Sequence, residues 1–192
     1  MLDGALSLAL PTKLGQSLTV EEIDAPKIIW KSYDEKGTNW FEDVFSIKDI
    51  KSERQNHPNE ISQRIIQIME AVKQLNSEFL SSGKGFKIST KLDFPKDWGL
   101  GTSSTLINNL ANWANVDAYE LLKKTFGGSG YDIACAQHDS AITFQKKGQT
   151  NFVQSISFNP VFKEHLYFVY LNKKQNSRDA IEHYKSKYRN LY

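Results

Sequence analysis

The chain has 192 residues, 24 basic against 22 acidic side chains, a net charge of +2 and one cysteine, Cys135. That length holds one well-buried core or slightly more than one domain, and so balanced a charge gives no reason to expect nucleic acid or an acidic membrane as partner. A lone cysteine excludes a disulfide framework and a multi-cysteine metal site, which fits a cytoplasmic protein, and no apolar run approaches the ~20 residues that span a bilayer.

The chain opens without the basic segment of a secretory signal. Residues 5–10 read at once as a buried strand. Lys13, just after Pro11, reads as a solvated turn residue. Residues 26–47 predict a β-hairpin: Ile28-Ile29-Trp30 and the run from Trp40 to Phe45 flank the turn Asp34-Glu35-Lys36-Gly37. Trp30 and Trp40 could stack a ligand ring, but packing across the hairpin is the expectation. Residues 48–58 are polar, contain His57-Pro58 and read as a surface loop.

Residues 59–80 are the clearest helix. Ile61, Ile65, Ile68, Met69, Val72, Leu75 and Phe79 recur at three and four and draw one apolar stripe. Ser81-Ser82-Gly83 ends it, and Phe86 to Thr90 form a strand leading into LDFPKDWGLGTSS. That stretch organises the chain. Pro95, Gly99-Leu100-Gly101 and Thr102-Ser103-Ser104 run into a helix over 103–115. A glycine turn opening on a helix start directs several backbone N–H groups and the positive end of the helix dipole at one spot, where a phosphate fits. The hydroxyls can cap the helix or complete a Mg²⁺ shell. No lysine follows Gly101, so this is not a Walker loop.

In the helix over 103–115, Leu106, Ile107, Leu110, Ala111 and Ala114 form the buried side, opposite Asn108, Asn109, Asn112 and Asn115. Asp117-Ala118-Tyr119-Glu120 has capping-box spacing and predicts a short second helix. Next comes Gly127-Gly128-Ser129-Gly130-Tyr131-Asp132. Asp132 is either a turn residue bonding its own backbone or a proton acceptor across from the glycine loop. His138-Asp139-Ser140 is no hydrolytic triad, because consecutive residues cannot converge on one reacting atom. Residues 141–144, 151–158 and 166–171 read as closing strands, followed by a basic helix over 177–191, near which Lys173, Lys174 and Arg178 read as a solvated helix start.

Two of these stretches resemble one family. The pattern from Pro95 through Gly99-Leu100-Gly101 to Ser104 is similar to the phosphate loop of the GHMP small-molecule kinases, the family of galactokinase, homoserine, mevalonate and phosphomevalonate kinases. The segment from Gly127 to Asp132 resembles that family's G-x-[PS]-S-G-x-D motif, in the family's order. Met1-Leu2-Asp3-Gly4-Ala5 looks like the end of the family's first motif, most like the mevalonate and phosphomevalonate branches.

The resemblance implies an α+β fold like domain 2 of ribosomal protein S5, a mixed sheet backed by helices. Residues 1–172 would be the ATP-binding N-terminal domain without its first strand and that strand's lysine. Residues 173–192 would cross into a C-terminal domain outside this chain. It implies ATP and Mg²⁺ as cofactors. Pro95, Gly99, Leu100, Gly101, Thr102, Ser103 and Ser104 would hold phosphates, with Ser103 toward the metal. Gly128, Ser129 and Gly130 would face the small-molecule substrate, and Asp132 would be the catalytic base. The γ-phosphoryl group would pass to an alcohol or phosphate of a small metabolite. One feature departs from the pattern: where many members carry a Mg²⁺-binding glutamate, this chain has Leu121 beside Glu120, and Glu120 reads as a cap. A diphosphomevalonate-decarboxylase-like enzyme and a nucleotide-binding protein without catalysis remain alternatives. An RNA-binding module of the same fold is a third, which the near-neutral charge disfavours. The chain by itself is expected to lack kinase competence and to self-associate through exposed apolar surface.

Overall fold

The computed structural model describes residues 4–48, 50, 58–171, 182–184 and 186–187. Alternation sets its larger sheet. In β3 (Lys27–Tyr33), Ile28, Trp30 and Ser32 are buried and the residues between them are not, the period of a half-buried strand. β4 (Asn39–Ser46) returns antiparallel to β3. The turn between them is held by the Asp34 carboxylate, which accepts from the N–H groups of Lys36 and Thr38 at 3.0 and 2.7 Å. The register slips between the pairs Ser32–Phe41 and Tyr33–Asn39, and Trp40 falls in the slip. The expected Trp30–Trp40 packing is therefore absent. Trp30 is buried opposite Asp43, its Nε1 donating to Ser32 Oγ at 3.0 Å. Trp40 lies at the surface with Lys96 Nζ 5.5 Å above its ring.

β5 (Gly85–Leu92) lies between β2 (Gln16–Ile23), antiparallel, and β3, parallel, giving the mixed order β2-β5-β3-β4. The sequence reading isolates no strand at β2, although Leu18 and Val20 alternate there with polar residues.

α1 (Glu60–Leu75), α2 (Thr102–Ala114) and α3 (Ala118–Thr125) share the main core with Ile28, Trp30, Phe41, Phe45 and Ile88 of the sheet. Asn59 caps α1, its Oδ1 accepting from Ile61 and Ser62. Ile65, Ile68, Met69 and Val72 are buried as the stripe predicts, while Ile61 sits exposed in the first turn. At about 1.5–3 kcal/mol for each fully buried aliphatic side chain, these four outweigh propensity differences of at most ~0.7 kcal/mol per residue. Packing holds α1. The helix stops at Leu75, short of residue 80. Asn76 turns extended and donates from Nδ2 to the Ala114 carbonyl at 2.8 Å, and Phe79 and Leu80 fold back into the same core. Their apolar character prolongs the stripe past the helix end. Ile50, inside the expected surface loop, is also buried in this core; most of 48–58 lies outside the described residues.

A smaller sheet, order β1-β6-β7 and antiparallel throughout, is built from β1 (Ser7–Ala9), β6 (Ile142–Lys147) and β7 (Thr150–Ser155). α4 (Tyr131–Ala136) packs on it around Ala9, Ala134, Ile142 and Phe144. β1 is shorter than the strand expected over 5–10, and it buries only Ala9; Leu6, Leu8 and Leu10 are exposed. β7 ends at Ser155 rather than 158. Residues 166–171 pair with no strand among the described residues, because composition favours an extended backbone but cannot supply a partner edge. Residues 182–184 and 186–187 are helical; Met1 to Asp3, Lys173, Lys174 and Arg178 lie outside the described residues. No described helix is long and apolar enough to cross a membrane.

Candidate functional site

The glycine stretch begins where β5 ends. Asp93 N–H bonds the Gly15 carbonyl at 3.0 Å, and Phe94 is buried, which fixes the exit from the sheet. Pro95 starts a single 3₁₀ turn, Lys96–Trp98, closed by Trp98 N–H on the Pro95 carbonyl at 3.0 Å. Gly99 ends that turn in the left-handed region, and Gly101 adopts the same conformation, φ 74°, as the residue before α2. Gly101 itself offers α2 no side-chain cap. The first N–H groups of α2 have no acceptor within the helix and stand at the positive end of its dipole. Ser103 is exposed; Leu100, Thr102 and Ser104 are half-buried.

α2 is rigidly seated. Ile107, Leu110, Ala111 and Ala114 enter the core. On the β2 side, Thr105 Oγ1 donates to Gln16 Oε1 at 2.8 Å and Asn109 Nδ2 to the Gln16 carbonyl at 2.7 Å. Asn108, expected on the solvated face, is buried, its Oδ1 accepting from Gln137 Nε2 at 3.1 Å. A buried amide is tolerated once it is hydrogen-bonded, and this bond ties α2 to the end of α4.

The second stretch is built differently. Asp117 caps α3, accepting from Tyr119 and Glu120 N–H at 2.8 and 2.9 Å. Glu120 itself does not reach back to the cap: its carboxylate lies on the exposed side of α3, 3.8 Å from Lys123 Nζ. Gly128 is exposed, its carbonyl 3.5 Å from Lys146 Nζ, and Ser129 Oγ accepts from Tyr131 N–H at 3.2 Å. Gly130, φ 84°, is buried and precedes α4. A Cβ there would meet the Tyr119 ring at 2.7 and 2.9 Å and Asn151 Nδ2 at 3.3 Å, so only glycine lets α3 and β7 close on this turn. Tyr131 Oη donates to the Leu8 carbonyl, and its ring meets Phe144 edge-on at 5.8 Å, anchoring α4 to the small sheet.

These anchors bring the two stretches together. A Cβ placed on Gly101 would lie 3.8 Å from Cβ and 3.9 Å from Cγ of Asp132. Asp132 therefore stands directly against the glycine that opens α2. It is the second residue of α4, not a free turn residue. No described side chain donates to its carboxyl, and the residue remains reachable from solvent. The protein around it still disfavours the charge: desolvation lifts the Asp132 carboxyl above its ordinary value. Burial likewise raises the Cys135 thiol, with Asp132 adding to the effect, and raises the Tyr131 phenol. A reachable carboxylate with raised basicity beside the first N–H groups of a helix can accept a proton next to a bound anion.

Lys13 is exposed in the bend between β1 and β2. No group of three or more metal-ligating side chains occurs among the described residues. A shallow hollow of about 340 Å³ between β2 and α2, lined by Leu18, Val20, Asn109, Asn112 and Trp113, contains no titratable group and lies toward the other end of α2. Gln16, Tyr119 and Asn151, which position the two stretches, have no local signature in the sequence.

No family model and no curated protein matches the chain. Solved structures do. A D-glycero-D-manno-heptose 1-phosphate kinase from Bacteroides thetaiotaomicron matches at 20% identity and TM-score 0.58, over 82% of this chain and 53% of that one. Methanococcus jannaschii mevalonate kinase matches at 16% identity and TM-score 0.58, over 82% of this chain and 50% of that one. Lactococcus lactis galactokinase, complexed with galactose, matches at 13% identity and TM-score 0.54, over 81% of this chain and 43% of that one. The chain has the α+β fold of GHMP kinase N-terminal domains and spans about half the length of the solved structures it matches. The heptose-phosphate and mevalonate kinases match equally well, so the fold singles out no branch.

Proposed function

We propose that this chain is the nucleotide-binding domain of a GHMP-type phosphotransferase that moves the γ-phosphoryl group of ATP to an alcohol or phosphate of a small metabolite. The observation that carries this reading is the apposition of Asp132 and Gly101. The N–H groups at the start of α2 bind and orient the phosphate oxygens, with glycines at 99 and 101 leaving room for close approach. Asp132, reached from Gly128, Ser129 and Gly130, takes the proton of the acceptor hydroxyl as that oxygen attacks. Gly128 and Ser129, at the mouth of this approach, contact the acceptor. Mg²⁺, when bound with the nucleotide, supplies charge neutralisation at the phosphates. It keeps several waters and needs only one or two protein oxygens, of which Ser103 Oγ would be one.

A binding-only role is the second reading, favoured by Glu120, which pairs with Lys123 on α3 instead of joining the site. Titration calorimetry with ATP at high and low Mg²⁺, beside a transfer assay on a panel of small alcohols and phospho-alcohols, separates the two. Ser103→Ala should weaken Mg·ATP binding several-fold while leaving the unfolding temperature in place, because Ser103 is exposed. A variant that binds as the wild type does at low Mg²⁺ removes Ser103 from the assignment. Absence of any nucleotide binding removes the whole reading, and tight binding without transfer by a version extended at both ends supports the second.

A further inference from the structure

The two stretches of the site meet on a seam between two cores. Ile133 of α4 is buried in the main core, with Ile107, Leu110 and Ala111 of α2. Ala134, the next residue of α4, is buried in the smaller core with Ala9, Ile142 and Phe144. The place of Asp132 therefore depends on how one short helix sits against α2. Apolar packing is non-directional, and misplacing a reacting group by ~1 Å can lower a rate on the order of 10²-fold.

A directional contact crosses between the helices. Gln137, the C-cap residue of α4, donates from Nε2 to Asn108 Oδ1 at 3.1 Å. Asn108 lies seven residues past Gly101 and Gln137 five past Asp132, about 10 Å and about 7 Å along their helices at a rise of about 1.5 Å per residue. The hydrogen bond thus holds the far end of α4, and the Gly101–Asp132 contact holds the near end. Two separated contacts set rotation as well as distance. Stability does not account for Asn108. It is 7% exposed beside the fully buried Ile107, and asparagine has a lower helix propensity than leucine. Replacing a buried hydrogen-bonding side chain by an apolar one of similar shape is often neutral or stabilising when its partner returns to water. A single buried polar residue can instead fix the register of packed helices.

We propose that Asn108 is a positioning residue: through Gln137 it registers α4 on α2 and so holds Asp132 against the start of α2. Asn108→Leu tests this, because leucine branches at the same atom and Gln137 is exposed to water. The native Cys135, half-buried on α4, reports the helix's place through its rate of reaction with a soluble aromatic disulfide. That readout needs no activity, whereas the kinetic one rests on the function proposed above. The urea midpoint of Asn108→Leu should equal or exceed that of the wild type, while Cys135 reacts several-fold faster. In a version of the protein extended at both ends, kcat should fall ~10-fold or more with KM for ATP unchanged. Gln137→Ala should reproduce the labelling and kcat changes, and the double variant should add nothing to either single one. Unchanged labelling in both variants overturns the proposal, whatever the extended protein catalyses. Faster labelling with unaltered kcat overturns it too, since Asp132 would then keep its place without the bond. A urea midpoint that falls in Asn108→Leu would make Asn108 an ordinary structural residue. An extended wild type that transfers no phosphoryl group removes the proposed function instead, and labelling alone then decides the register of α4.

Discussion

α2 and α4 start alike and are used differently. Each is preceded by a glycine in the left-handed region, Gly101 at φ 74° and Gly130 at φ 84°, and neither has a side-chain cap. Around Gly101 a Cβ would find only Asp132, at ordinary contact distance. Around Gly130 it would strike the Tyr119 ring. The first glycine leaves ordinary contact room between the start of α2 and Asp132. The second lets two elements clamp a turn, and that clamp aims Asp132 at the first. The same sequence feature thus serves an open surface in one place and close packing in the other.

The largest effect expected is on turnover. In a version of the protein extended at both ends, Asp132→Asn should keep nucleotide affinity and cut transfer by ~10²–10⁴-fold, the range for a positioned acid or base. Equal losses of affinity, turnover and stability would instead make Asp132 a structural residue of α4.

Gly130→Ala tests the clamp. Left-handed strain of about 1–2 kcal/mol adds to overpacking of about 1–3 kcal/mol, so urea unfolding should show a loss of roughly 2–5 kcal/mol. Gly101→Ala meets the strain alone and should lose only about 1–2 kcal/mol, yet weaken nucleotide binding beyond that loss. If both alanines destabilise equally, the contrast between open and clamped glycines fails.

What the sequence showed was local. The hairpin turn at Asp34, the α1 stripe and the cap at Asp117 are set by residues a few positions apart, and all formed. The glycine stretches were readable for the same reason. Their meeting entered only as one of two readings of Asp132: Gly101 and Asp132 are apposed because Gln16 seats α2 and Tyr131 seats α4, contacts that span much of the chain. Errors arose where local pattern and packing diverged. Phe79 and Leu80 kept the helical period but enter the core from a turn, and Asn108 looked solvated until Gln137 satisfied it. Residues 166–171 had the composition of a strand, which says nothing of the edge it pairs with.

The smallest effect concerns what Asp132 does to stability. Two influences oppose each other there. A carboxylate in the first turn of a helix gains from the dipole, typically 0.3–1 kcal/mol, which would lower its pKa. Desolvation acts the other way and prevails, since the carboxyl is raised above its ordinary value. The sign then follows. Below the unfolded value of about 3.9 the group is protonated in both states and contributes nothing to pH dependence. As pH rises, the unfolded chain loses its proton first, so folding stability falls until the raised folded value is passed. Above it, the folded protein carries a charge it disfavours. Asp132→Asn removes this loss, so the variant should gain stability relative to wild type on going from pH 3 to pH 7. Because Asp132 is reachable by solvent, the gain should be modest. Urea unfolding of both proteins across that range measures the difference, and the other carboxylates cancel in the comparison. A variant that instead loses stability relative to wild type as pH rises would mean that a cation pairs with Asp132 in solution. The start of α2 would then face an aspartate held by an ion pair, not one whose proton affinity burial has raised.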